Sequence, residues 1–182
     1  MKYALTALAI AACAALATPA LATQSDAAKA AYDAAIAQHQ AAQSRYDTAQ
    51  AEWVSGQQAH LAWNAARKNW NTTDSGLQYH LVGKANPEGA QPTETDTVMV
   101  HYRGSLINGT EFDSSYSRNE PTSFPLNRVI KGWTEGVALM REGETYEFLI
   151  PADLAYGPRR MGDDIPANSA LYFTVELLKV NP

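Results

Sequence analysis

The chain has 182 residues and a formal net charge of −5, with no basic run. An acidic balance of this kind repels a phosphate backbone, which argues against a nucleic-acid partner. Hydrophobic residues make up 46% and charged residues 18%, the balance of a chain that folds around a core rather than a disordered one.

Residues 1–22 read as a signal peptide. Lys2 supplies a short positive region, ALTALAIAACAALATPA is apolar, and Ala20-Leu21-Ala22 has the small-x-small pattern read by signal peptidase. Pro19 and the polar TQSDAAK that follows argue against a permanent membrane span. Export is implied, with the periplasm as destination and cleavage after Ala22. An alternative takes IAAC as a lipoprotein box, with Cys13 the lipidated residue of an outer-membrane lipoprotein. Cys13 is the single cysteine, so a mature chain cut after Ala22 has neither a disulfide nor a cysteine metal site.

Residues 23–70 read as a helical extension. The stretch is rich in Ala and Gln and has no proline, a composition that favours helix. Tyr32, His39, Tyr46, Trp53 and His60 recur every seven residues, and Ala28, Ala35, Ala42, Ala49, Gly56, Trp63 and Trp70 form a second such series. Small residues on one seam and rings on the other let two helices approach closely, which predicts a homodimer through this helix. Ser25 and Asp26 are the expected cap, and Ser55-Gly56 the expected break. His39 and His60 lie on the seam without a carboxylate between them on that face, which does not suit a metal.

NTTDSG, residues 71–76, is a turn-rich linker to a domain over residues 77–182. There the chain alternates with period two. Leu77, Tyr79 and Leu81 share a face, as do Val98, Val100 and Tyr102, then Tyr146, Phe148 and Ile150, then Leu171, Phe173, Val175 and Leu177. Asn108-Gly109 marks a tight hairpin turn. One short helix is expected over Gly132 to Met140, stopped near Gly143. These elements predict an α+β fold, an antiparallel sheet of about five strands with one helix against it.

Hydrolytic chemistry has no foothold: the chain contains no phosphate loop, HExxH or GxSxG motif. No cofactor and no metal are implied. What stands out is an aromatic set with one acid, Tyr102, Phe112, Asp113, Phe124, Trp133, Tyr156 and Phe173. Such a set suits an apolar ligand hollow. It also suits an ordinary core with Trp133 as filler, and composition leaves both readings open.

VHYRGSLINGTEFDSS, FPLNRVIKGWTEGV, LIPADLAYG and IPANSALYFTVELL follow one another over about Ser75 to Pro182. Together they closely resemble the FKBP-type peptidyl-prolyl cis-trans isomerases. DSGLQYHLV, the helical extension and the signal segment resemble the exported bacterial branch typified by the macrophage infectivity potentiator proteins, which dimerise through N-terminal helices. The resemblance implies a twisted antiparallel sheet wrapped around a short helix. It implies isomerisation of X–Pro bonds in unfolded or secreted polypeptides, without covalent or metal chemistry, and possible macrolide inhibitors. A non-catalytic proline-binding module or chaperone of the same fold is the alternative.

Carried over residue by residue, the resemblance makes Trp133 the floor beneath a proline ring and Tyr102, Phe112, Phe124 and Phe173 its walls. Val129 and Ile130 lie alongside, the Ile130 N–H facing a substrate carbonyl. Tyr156 offers its hydroxyl, Asp113 sits at the edge with Arg118 placed to pair with it, and Ile165 is an apolar tip. The electrostatic and hydrogen-bonding roles fall to Tyr102, Asp113 and Tyr156. The chain departs from the family at Thr122, where many relatives carry an aromatic, and in the loop 158–164. There Arg159, Arg160, Met161, Asp163 and Asp164 stand where relatives usually have Gly, Pro and apolar residues. The charges are expected to pair with one another or face solvent, with Arg159 and Arg160 as candidates for steering acidic segments.

Overall fold

The computed structural model describes residues 19–182, with side chains from residue 25 onward. Cys13 and most of the expected signal segment lie outside the described residues. No helix among the described residues is long and apolar enough to cross a membrane.

Helix α1 spans Pro19–Ala65. Ser25 and Asp26 lie within this helix rather than capping it. The expected break at Ser55-Gly56 is absent as well. One glycine costs a helix only about 1 kcal/mol, and the residues on either side of Gly56 are tied down. The Trp53 indole N–H donates to the Ala167 carbonyl at 3.1 Å, and Gln57 Oε1 accepts the Ala170 N–H at 3.0 Å.

By compactness the chain divides into residues 1–49 and 50–182. In the first unit every residue from 25 to 49 is exposed. The large side chains Tyr32, Ile36 and Tyr46 are among them, the two tyrosines at 66% and 60% exposure.

In the second unit the last turns of α1 are fastened to the domain. Asn64, fully buried, donates to Gln78 Oε1 at 2.8 Å, and Gln78 Nε2 returns a bond to the Leu61 carbonyl at 2.9 Å. Arg67 donates to Asn64 Oδ1 at 2.8 Å. The helix ends as Arg67 N–H bonds back to the Asn64 carbonyl, and Asn69 takes a left-handed conformation at φ 69°.

Seven antiparallel strands follow: β1 (Asn71–Thr72), β2 (Gln78–Val82), β3 (Thr97–Leu106), β4 (Glu111–Ser114), β5 (Thr122–Pro125), β6 (Thr145–Ile150) and β7 (Leu171–Val180). The order across the sheet is β1-β2-β6-β7-β3-β4, with β5 also on β3. Two strands exceed the expected five. β1 has two residues and β5 four, without an apolar run in the sequence, and pairing with a neighbour is what defines them. The stretch 71–76 thus contributes two residues to the sheet.

β3 and β7 alternate buried and half-exposed almost throughout, as the hydrophobic pattern requires. β6 does not: Phe148, Leu149 and Ile150 are all buried. Leu149 faces away from the main core, into a second cluster with Trp70 and Ala170 under Leu61 of α1. The end of the helix covers what would otherwise be a solvent face.

Helix α2 spans Lys131–Val137 and lies against the main core. Two glycines set its distance from the sheet. A Cβ on Gly136 would meet the Phe148 ring at 2.8 Å, and one on Gly132 would collide with Ile150.

Candidate functional site

A cavity of about 940 Å³ opens beside α2. Trp133, the third residue of that helix and 5% exposed, packs edge-to-face with three rings. Its centroid distances are 5.3 Å to Tyr102 from β3, 5.5 Å to Phe124 from β5 and 5.3 Å to Phe173 from β7, at interplanar angles of 80–88°. Phe112 from β4 stands edge-on to Phe173 at 5.6 Å. Edge-to-face packing sets each positive ring edge on a negative ring face, which holds the lining rigid without filling the hollow.

Adjacent strand residues normally face opposite ways, yet Phe112 and Asp113 both line the cavity. The pairing of β3 with β4 explains this. Asp113 is opposite Gly104 and Glu111 opposite Ser105, so Phe112 is the extra residue of a bulge. Gly104 is required at this point. A Cβ there would stand 2.6 Å from the Phe173 ring and 2.7 Å from the Phe112 ring.

Asp113, Tyr102 and Arg118 close a ring of hydrogen bonds. The Tyr102 hydroxyl donates to Asp113 Oδ2, Arg118 donates to Asp113 Oδ1 at 2.5 Å, and its second terminal nitrogen donates to the Tyr102 oxygen at 2.9 Å. Burial alone would raise the Asp113 carboxyl. The bonds from Tyr102 and Arg118 outweigh it, so the group titrates below the ordinary carboxylate range. Burial, then Asp113, pushes both Tyr102 and Tyr156 above the ordinary phenol value. Both hydroxyls are therefore protonated at neutral pH. Tyr102 has committed its proton to Asp113, whereas the Tyr156 hydroxyl has no hydrogen-bond partner among the described residues and faces the cavity.

Val129 and Ile130 lead into α2 and line the same cavity. The Ile130 N–H donates to no acceptor among the described residues, while its carbonyl accepts from Trp133 and Thr134. Tyr156 follows the short 3-10 turn Ala152–Leu154. The segment after it folds into a flap: Met161 and Ile165 exchange backbone bonds at 3.0 and 3.2 Å, and Ile165 turns inward, 5% exposed. The four flap charges are exposed and form no ion pair among the described residues. Arg160 only reaches the Asp163 carbonyl, at 3.4 Å.

Of the residues carried over from the resemblance, ten line this cavity: Tyr102, Phe112, Asp113, Phe124, Val129, Ile130, Trp133, Tyr156, Ile165 and Phe173. Arg118 does not; it stands behind Asp113 and acts through it. Arg128, Lys131 and Ala155 line the cavity without having been singled out in the sequence. Arg128 and Lys131 flank Val129-Ile130, and that adjacency is the one sequence signal that points to them.

Two family models match the chain. "FKBP-type peptidyl-prolyl cis-trans isomerase" covers residues 88–178 and "Domain amino terminal to FKBP-type peptidyl-prolyl isomerase" covers residues 2–81. The chain is 52% identical over 110 residues to an FKBP-type 22 kDa peptidyl-prolyl cis-trans isomerase of Escherichia coli strain K12, covering 60% of this chain and 52% of that one. It is 47% identical over 106 residues to the outer membrane protein MIP of Legionella longbeachae, covering 58% and 45%. The chain thus spans about half the length of the curated relatives it matches. The crystal structure of FkpA from Escherichia coli superposes with a TM-score of 0.71 at 38% identity, over 86% of this chain and 71% of that one. The family model and the shared fold place this chain in the FKBP-type peptidyl-prolyl cis-trans isomerase family.

Proposed function

We propose that the cavity over Trp133 isomerises X–Pro bonds in exported, unfolded polypeptides. The observation that carries this reading is an apolar hollow of fixed rings with a small set of aimed polar groups: the Tyr156 hydroxyl, the Ile130 N–H and an ionised, braced Asp113.

Amide resonance sets a barrier of about 18–20 kcal/mol to rotation about the peptide bond. Lowering it needs neither a nucleophile nor a proton transfer, only a site that favours the twisted amide over the planar one. The planar amide has the larger dipole and loses more on leaving water, so an apolar hollow disfavours the ground state. The proline ring rests on Trp133 between Phe112, Phe124 and Phe173, and the preceding carbonyl turns. The Ile130 N–H and the Tyr156 hydroxyl hold the substrate backbone on either side of the bond. Asp113 supplies a fixed negative field at the cavity edge, and Arg118 keeps it in place. A thousandfold acceleration requires about 4 kcal/mol of preferential transition-state binding, within reach of desolvation plus one or two hydrogen bonds.

Export rests on the signal-like residues 1–22 and on a relative named as an outer membrane protein. Dimerisation rests on the heptad seam and the exposed rings of residues 25–49. A macrolide would use the same aromatic walls but meet a charged flap where an apolar rim would suit it better.

The test is refolding of a protein limited by proline isomerisation, with this chain added at catalytic amounts. Acceleration that scales with enzyme and is lost in Trp133→Ala supports the reading. Unchanged refolding with aggregation still suppressed would instead mark a binding module.

A further inference from the structure

The rim of the cavity carries an excess of positive charge that the rest of the molecule does not share. Arg128, Lys131 and Arg159 all line the cavity and are exposed. None of the three takes part in an ion pair among the described residues. The acids in the lining are Asp113 and Asp164. Asp113 already has a cation of its own in Arg118, which stands behind it outside the lining, so the rim holds three unpaired cations against one unpaired carboxylate among the described residues. The chain as a whole carries a net charge of −5, so the positive mouth is a local feature. Its placement is informative too. Arg128 immediately precedes Val129-Ile130, Lys131 immediately follows, and Arg159 comes from the flap after Tyr156. The cations thus sit beside the two backbone-holding groups.

We infer that the preferred substrates are proline segments with acidic residues flanking the X–Pro pair, recognised by Arg128, Lys131 and Arg159. The inference rests on the isomerase reading and adds a substrate class to it. A cleft lined by one sign of charge raises the local concentration and the association rate of the opposite sign, an effect that salt screens. The consequence is kcat/KM that depends on flanking charge at low ionic strength and much less at high.

The experiment compares three short peptides identical except for Glu, Gln or Lys at both positions flanking the same X–Pro pair. Isomerisation rate and calorimetric affinity are measured at low salt and at about 0.5 M salt, where the screening length is only about 4 Å. The expected result is a Glu-to-Lys ratio of about tenfold at low salt that falls toward unity at high salt. In the triple variant Arg128→Gln, Lys131→Gln, Arg159→Gln the low-salt ratio also approaches unity. Because the readout is a ratio, partial loss of folded protein does not mimic it. Equal rates for Glu and Lys peptides in the wild type at low salt overturn the inference, while turnover of the Gln peptide keeps the isomerase reading intact. If no peptide is turned over, the isomerase reading fails, and the Glu-to-Lys ratio of dissociation constants then decides the inference alone.

Discussion

Asp113 spends both of its carboxylate oxygens on the protein, one on Tyr102 and one on Arg118. That arrangement makes it a fixed charge and a poor proton carrier, and two expectations follow at this scale. Asp113→Ala removes the acceptor shared by Tyr102 and Arg118 and the field at the cavity edge. Turnover of a short proline peptide should fall about tenfold or more, equivalent to about 1.4 kcal/mol, with the far-UV circular dichroism unchanged. Full activity in that variant would remove Asp113 from the site. The second expectation concerns acid. The carboxyl titrates below its unfolded value of about 3.9. A depressed pKa gives stabilisation that is complete above the unfolded value and lost as pH falls through the folded one. The pH–rate profile should therefore be level from about pH 8 to pH 5 and decline only below about pH 4. A decline centred near pH 6 would mean that another group controls the rate. Asp113 and Arg118 were legible as partners through their place in the family motif. The third member, the Tyr102 hydroxyl, was not, because it comes from another strand and only the bulge at Phe112 turns Asp113 toward it.

Two glycines test the elements. Gly104 leaves room on β3 for the Phe112 and Phe173 rings. Gly104→Ala forces them to shift, so peptide turnover and ligand affinity should fall, at a stability cost of about 1–3 kcal/mol by urea denaturation. Gly56 is the opposite case: it sits within α1, where an added methyl group would meet nothing within 4 Å. Gly56→Ala should raise stability by about 0.5–1 kcal/mol in the same measurement. The helix itself also makes a prediction. Residues 25–49 present a seven-residue series of rings with no cover. If two copies bury that seam, Tyr32→Glu with Tyr46→Glu should turn a dimer into a monomer by sedimentation equilibrium, with peptide turnover retained. A wild-type chain that sediments as a monomer would end the dimer proposal. The heptad was plain in the sequence. The continuity through Gly56 was not, since it rests on Trp53 and Gln57 reaching carbonyl and amide groups more than a hundred residues away.

At the scale of the whole molecule, the composition change near residue 70 and the compact boundary at residue 49 do not coincide. Residues 50–70 have a helical sequence but belong with the sheet. Trp53 and Gln57 bond to the loop leading into β7, Asn64 bonds to Gln78 of β2, and Leu61 covers the Leu149 cluster. A chain beginning at Gln50 should be more stable than one beginning at Asn71 by about 3 kcal/mol, judged from the apolar cover and buried hydrogen bonds lost. Equal urea midpoints for the two would show that the helix end contributes nothing to the domain.

By itself the sequence determined the helix, the long alternating strands, the aromatic set and the family. Each of these is a local signal, a period of seven or two, or a run of residues in order. Tertiary structure alone decided four things: the pairing of β1 with β2 and of β5 with β3, the burial of both faces of β6, the closed ring of Tyr102, Asp113 and Arg118, and the meeting of Arg159 with Arg128 and Lys131 at the cavity mouth. All four depend on which distant residues the fold brings together, across the sheet, under the end of α1 or around the cavity, and neither propensity nor spacing carries that information.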